Sequence, residues 1–149
     1  MTEYDVRRAR FDELDRRTSY LLWQLRESVF VVEQSCPYPE LDGRDLEPGT
    51  THVWVQDGGE PVAYLRVLDD GDAARIGRVL VAKTHRGRGL AEILMTTALD
   101  VVGQRPSRLD AQSYLARWYT RFGYEQTGAE FVEDGIPHVP MSRQALSGR

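Results

Sequence analysis

One cysteine, Cys36, is all the thiol in a chain of 149 residues. It excludes an internal disulfide and fits a reducing cytoplasm. No His/Cys pattern at recognised spacing accompanies it, so it reads as a neutral, at least partly buried thiol rather than a nucleophile. Histidine is also sparse. His52, His85 and His138 are scattered and make no ligand spacing, so no metal is expected. No apolar run is long enough to span a bilayer. The opening MTEYDVRRAR lacks the apolar core and small-residue cleavage site of a signal peptide. Positive charge is not in excess: 19 Lys and Arg stand against 23 Asp and Glu, a net charge of -4. A general nucleic-acid binder needs a net basic face, so nucleic acid and membrane are set aside as partners. Internal repeats and low-complexity tracts are also missing.

What is present is the composition of a globular chain, 41% hydrophobic and 28% charged, at a length that suits one domain over residues 1–149. Tyr4 to Arg10 reads as a short strand. From Thr18 to Gln34, Leu21/Leu22, Leu25, Val29 and Val32 recur at helical spacing, and Pro37 and Pro39 close the helix. Ser35 to Thr51 is the longest irregular segment, of a length that is usually functional. Its carboxylates, with Glu33 just before it, are Glu40, Asp42, Asp45 and Glu47 against the single Arg44. Such a loop either steers a cationic amine to a neighbouring site or is simply a solvated acidic surface.

His52–Gln56 and Pro61–Leu68 flank Asp57-Gly58-Gly59 as a hairpin, and a turn at Asp69–Asp72 leads into a third antiparallel strand at Arg75. Leu90 to Val102 has a helical stripe. Gln104–Ser107 breaks the chain and Arg108–Gln112 is a short strand. Tyr114–Phe122 has helical spacing and Gly123 stops it. Tyr124–Glu133 and Ile136–Met141 form a last hairpin about Asp134-Gly135. The order β, α, β, β, β, α, β, α, β, β is that of an α+β domain with a mostly antiparallel meander.

The densest signal is the junction of strand and helix in RIGRVLVAKTHRGRGLAEILM, Arg75–Met95. A glycine-bearing basic turn that opens a helix is a seat for phosphate. The first N–H groups of a helix have no internal partner, the macrodipole is positive there, and glycine lets an anion approach the backbone. A triphosphate loop would need Gly-Lys-Ser/Thr, which is absent. A dinucleotide loop would need a third glycine where Glu92 stands.

The pattern that does match is Arg86-x-x-Gly89-x-Ala91 after Val79-Leu80-Val81. It resembles the acetyl-CoA pyrophosphate loop of the Gcn5-related N-acetyltransferase (GNAT) superfamily. Four separated blocks, VFVVEQSCPYPELDGRD, IGRVLVAKTHRGRGL, AQSYLARWYTRFGY and EDGIPHVPM, resemble its ElaA-type branch over nearly the whole chain. The resemblance implies the GNAT fold: a mixed, mostly antiparallel sheet of six to seven strands flanked by helices, with the fourth and fifth strands splayed. The backbone of Val79, Leu80 and Val81 would pair with the pantetheine arm as an added strand. Backbone N–H groups of Gly87, Arg88, Gly89, Leu90, Ala91 and Glu92 would hold the pyrophosphate, and Arg86 and Arg88 would add charge. Gly77 is the expected bulge point in the fourth strand.

Acetyl transfer to an amine needs a neutral amine, a stabilised oxyanion and a proton for the leaving thiolate. The resemblance places a general-acid tyrosine at Tyr119 and an oxyanion donor at the N–H of Leu80 or Val81. The superfamily often has a Glu base on the fourth strand, but Ile76-Gly77-Arg78 carries no carboxylate. His138 comes first as base, Glu33 second, and His52 remains a candidate, as does proton loss to bulk water. The expected activity is N-acetyl transfer from acetyl-CoA to a primary amine. The alternative is a non-catalytic acyl-CoA-binding module, signalled by an acceptor cleft closed by Trp23 or Phe30. A homodimer is left open.

Overall fold

Val53 and Val55 on one strand, and Ala63, Leu65 and Val67 on the next, are at most 2% exposed, and this apolar alternation commits the middle of the chain to sheet. The computed structural model describes residues 4–35 and 39–145. The expectation for Cys36 therefore lies outside the described residues. Eight strands form one sheet: β1 (Tyr4–Ala9), β2 (Thr51–Asp57), β3 (Glu60–Asp69), β4 (Ala74–Val81), β5 (Ser107–Gln112), β6 (Glu125–Gln126), β7 (Phe131–Glu133) and β8 (Ile136–Arg143). Their order is β1-β2-β3-β4-β5-β8-β6, with β7 also on β8. All pairs are antiparallel except β4 with β5.

The expected six or seven strands become eight because the Tyr124–Glu133 arm is interrupted. Gly128 lies so close to the Pro140 ring that a Cβ there would meet its Cγ at 2.9 Å. The arm is left as two short pieces, β6 and β7, each paired with a different part of β8.

Helices α1 (Arg16–Arg26), α2 (Leu90–Val102) and α3 (Ala116–Thr120) cover the sheet. Asp15 caps α1 by accepting the Thr18 N–H at 2.7 Å. The helix does not end at Arg26. It widens into a π-type stretch, Glu27–Glu33, whose end is marked by the Gln34 N–H bonding to the Val29 carbonyl at 3.0 Å. Val29, Val31 and Val32 are β-branched and crowd a tight turn, which favours the wider one. On one face of the sheet α1 and this stretch pack Leu22 and Val29 against Trp54, Tyr64 and Leu80. On the other, α2 presents Leu90, Leu94, Met95, Ala98 and Val102 to β2, β3 and β4. Truncating any of these fully buried leucines costs about 2–5 kcal/mol.

One irregularity aims β4. Tyr64 opposes Leu80 and Arg66 opposes Gly77, so Arg78 and Val79 together face the single Leu65. The bulge is therefore at Arg78, which takes the left-handed backbone (φ 54°), and not at Gly77. An extra residue inverts the alternation beyond it. Ile76 faces α2, while Leu80, four residues on, faces α1.

The long acidic segment is not a solvated or amine-steering loop. Its charges are tied to arginines: Glu40 to Arg26 (2.6 Å) and Arg78 (3.0 Å), Asp45 to Arg26 (2.7 Å) and Arg66 (3.0 Å), and Asp42 to Arg66. Arg26 is 0% exposed. Removing one partner of so buried a pair strands the other charge, at a cost of about 3–5 kcal/mol. The arginine hydrogen bonds hold the Asp42 carboxyl well below the usual carboxylate range.

Candidate active site

β4 and β5 pair in parallel only at Ala74 with Ser107 and Arg75 with Arg108, and then part. A cavity of about 760 Å³ fills the gap. It is lined from both faces of the sheet, by Val29 and Phe30 from the α1 side and by Leu90 and Tyr119 from the α2 side. The site residues expected from the sequence line it, except Arg88 and His52.

The edge of β4 that faces the gap is unpaired beyond Arg75. The Ala82 N–H bonds to the Val62 carbonyl at 2.8 Å, so Ala82 and, two residues back, Leu80 point their peptide groups at β3. Val79 and Val81 alternate with them and turn outward, and the Val81 carbonyl is met on that side by the Arg86 Nε at 3.0 Å. The outward N–H groups are thus those of Val79 and Val81. Leu80, expected as a possible oxyanion donor, spends its own on the sheet.

The strand runs into the turn through Lys83–His85, and Gly89 caps α2 with a left-handed backbone (φ 75°) and no side-chain cap. The first bond of the helix is Ile93 N–H to the Gly89 carbonyl. The N–H groups of Leu90, Ala91 and Glu92 have no carbonyl one turn earlier and stay available to an anion. Arg86 stands on this turn, but it already donates to Glu33 twice, at 2.7 and 2.8 Å. Those hydrogen bonds hold the Glu33 carboxyl below its ordinary value, which makes it a weak base near neutrality. Arg88 points elsewhere, donating to the Tyr4 hydroxyl at 2.8 Å.

Tyr119 comes from α3, 6% exposed, with its ring edge-on to Trp118 at 5.0 Å. Its hydroxyl makes no hydrogen bond among the described residues. Burial pushes the phenol up, so it remains protonated and can only act as an acid at neutral pH. His138 comes from β8, half-buried, and faces the same cavity. Its Nδ1 lies 2.7 Å from the Ile136 carbonyl. A carbonyl only accepts, so Nδ1 carries the proton and Nε2 of the neutral ring keeps its lone pair. The Phe131 ring stacks on it at 5.8 Å.

His52 does not join them. It is 0% exposed beneath α1, its Nδ1 2.6 Å from the Tyr64 hydroxyl and its Nε2 3.1 Å from the Asp45 carbonyl. The carbonyl requires Nε2 to donate, so Nδ1 accepts from Tyr64. Both nitrogens are used and no substrate can reach them. The residues that sequence reasoning missed are the arginines of β3 and β4 and the Asp110 and Gln112 side chains of β5, which also line the cavity. The alternation of β5 signals two faces, but nothing local shows that the outer face of this strand is the wall of a site.

Comparison with known proteins identifies the family and the fold. The acetyltransferase (GNAT) domain family profile matches residues 26–145. A UPF0039 protein of Mycobacterium tuberculosis is 47% identical over 148 residues, covering 96% of this chain and 94% of its own. Protein ElaA of Escherichia coli is 39% identical over 141 residues, covering 90% and 92%. Its crystal structure superimposes with a TM-score of 0.89 at 37% identity over 97% of this chain and 100% of that one. The crystal structure of an acyl-CoA N-acyltransferase from Pseudomonas aeruginosa gives a TM-score of 0.91 at 38% identity, covering 95% and 99%.

Proposed function

The chain belongs to the GNAT acetyltransferase family, in its ElaA-type branch, and from that premise we propose that it transfers an acetyl group from acetyl-CoA to a primary amine in a ternary complex. The observation that supports this most is that Tyr119 and His138, from α3 and β8, line one cavity with the turn before α2. In this reading the diphosphate sits on the N–H groups of Gly87 to Glu92, and the pantetheine arm lies along the outward edge of Val79 and Val81. The amine nitrogen attacks the thioester carbonyl. A C–N bond forms and the C–S bond breaks. His138 Nε2 takes the amine proton, the N–H of Val81 or Val79 meets the oxyanion, and Tyr119 protonates the departing thiolate. Glu33 is not used as base, because its carboxylate is committed to Arg86. All of the chain acts as one catalytic unit, in a reducing cytoplasm.

A binding module without catalysis is the rival reading. Phe30 lines the cavity without closing it, and Trp23 lies elsewhere, edge-on to His52 at 5.5 Å. The deciding experiment incubates the purified protein with acetyl-CoA and pools of small amines and peptides and reads free thiol. Amine-dependent thiol release is expected. Calorimetric binding of acetyl-CoA with no release from any pool would leave the binding module.

A further inference from the structure

The cavity takes side chains from both faces of the sheet. Tyr119 belongs to the α2 side, where its ring is part of the core cluster built on α2. His138 belongs to the opposite face. Its neighbour on β8, Val139, goes into the α2 core, and side chains alternate along a strand. The carbon attacked in the gap carries four substituents. Its sulfur lies toward Tyr119, its oxygen toward the outward N–H groups of β4, and the incoming nitrogen toward His138. One direction is left for the acyl chain, over the α1 side of β4.

That side has a polar floor and an apolar wall. Toward the point where β4 and β5 pair stand Arg66, Arg75 and Asp110, charged groups that an apolar chain would desolvate at a cost. Val29 and Leu80, 5% and 4% exposed, belong to one buried cluster, and the half-buried Phe30 packs against it. All three line the cavity. Leu80 stands between Val79 and Val81, so this wall begins beside the edge that meets the oxyanion.

The π-type stretch is what brings Phe30 there. Its turn is wider than an α turn, so more consecutive side chains share one side, and such turns recur at functional sites. Val29, Phe30, Val31, Glu33 and Gln34 all line the cavity, while Val32 does not and is 70% exposed.

We propose that the acyl chain of the donor lies against Val29 and Leu80, and that the Phe30 ring sets its length, so that acetyl fits and longer chains do not. This rests on the acyl-transfer reading and names the residue that selects its donor. The ring occupies the space that later carbons of a longer chain would need. A smaller side chain at this position releases that space.

The test measures binding of acetyl-CoA, butanoyl-CoA and hexanoyl-CoA to the intact protein by calorimetry, which needs no acceptor. Overfilling a packed apolar site is worth about tenfold or more, so the wild type binds hexanoyl-CoA at least about tenfold more weakly than acetyl-CoA, with butanoyl-CoA between them. Phe30→Ala raises the hexanoyl-to-acetyl affinity ratio by at least about tenfold, because each methylene then buried against Val29 and Leu80 adds about fourfold. Phe30→Leu, which keeps an apolar side chain on the cluster, moves the ratio the same way by less, and it decides alone if the alanine variant does not fold. A wild type that binds hexanoyl-CoA as tightly as acetyl-CoA, or a ratio unmoved in the folded variants, would overturn the inference and leave acyl transfer standing. If the wild type binds none of the three, both fail.

Discussion

Arg86 and Glu33 bridge the cavity, the guanidinium meeting both carboxylate oxygens at 2.7 and 2.8 Å, 53 positions apart in the chain. One residue stands on the phosphate turn and the other ends the π-type stretch after α1. The pair ties the two walls of the cleft together beside the turn that opens α2. It is half exposed, so it is a salt-screened tie and not a strong one.

Because its carboxylate is committed to Arg86, Glu33 is not available as base. Glu33→Gln is expected to keep most of its turnover and to bind acetyl-CoA at least as tightly, since a negative charge leaves the neighbourhood of the diphosphate. His138→Gln, by contrast, loses turnover by about 10²–10⁴-fold, the usual size of acid–base help. Steady-state kinetics on both variants decides. A loss of that size in Glu33→Gln would make Glu33 the base.

Gly89 has open space around it, with nothing within 4 Å of a Cβ built there, yet its φ is +75°. A valine is therefore excluded by backbone conformation rather than by a clash. Holding a β-branched residue in the left-handed region costs about 1–3 kcal/mol, and the alternative is to re-aim the N–H groups of α2. Gly89→Val should weaken acetyl-CoA binding at least about tenfold by calorimetry. Unchanged affinity would refute the phosphate seat.

Tyr119 packs through its ring and leaves its hydroxyl unpartnered, so Tyr119→Phe should fold with an unchanged Tm. It should bind acetyl-CoA normally and turn over about 10²–10⁴-fold more slowly. Since burial pushes the phenol up, the wild-type protein should show no loss of kcat near the ordinary tyrosine value of 10.0. Turnover of the phenylalanine variant at the wild-type rate would remove Tyr119 from the chemistry.

His52 predicts an acid limb of stability. Burial lowers its pKa from 6.5, helped by the neighbouring Arg26 and Arg66 and opposed by the Asp45 carbonyl and carboxylate. The folded state therefore binds a proton less readily than the unfolded chain. The stability this group contributes is complete above the unfolded value and is lost as pH falls from about 6.5 toward the lower folded value. Tm should drop across that window in the wild type and drop less in His52→Gln. Equal slopes in the two proteins would show that His52 does not carry the effect.

Local chemistry made a large part of this protein readable. The period-two and helical stripes, the turn glycines and the Arg86-Gly89-Ala91 pattern each depend on neighbours a few residues away. They placed the β2–β3–β4 meander, α2 and the turn between β4 and α2 correctly. Tyr119 and His138 were singled out because they sit in blocks with a family likeness, although nothing in either block says that both line one cavity.

The rest depended on contacts that no local pattern encodes. The bulge fell on Arg78 and not on the more permissive Gly77, and the guanidinium of Arg78 is tethered to Glu40 from the distant loop. The acidic loop read either as bait for an amine or as a solvated surface, and the arginines of α1, β3 and β4 neutralised it. His52 looked titratable, and burial under α1 with two fixed partners withdrew it. The sequence alone therefore determined which stretches are strand, helix and turn, and that a glycine-bearing turn opens α2, since these follow from backbone conformation and spacing. Only the tertiary structure decided which side chains share the cavity and which charges are paired. That depends on the register of β5, β7 and β8, which sets Gln112 opposite His138, and on the distant carboxylates that hold Arg26, Arg66 and Arg78.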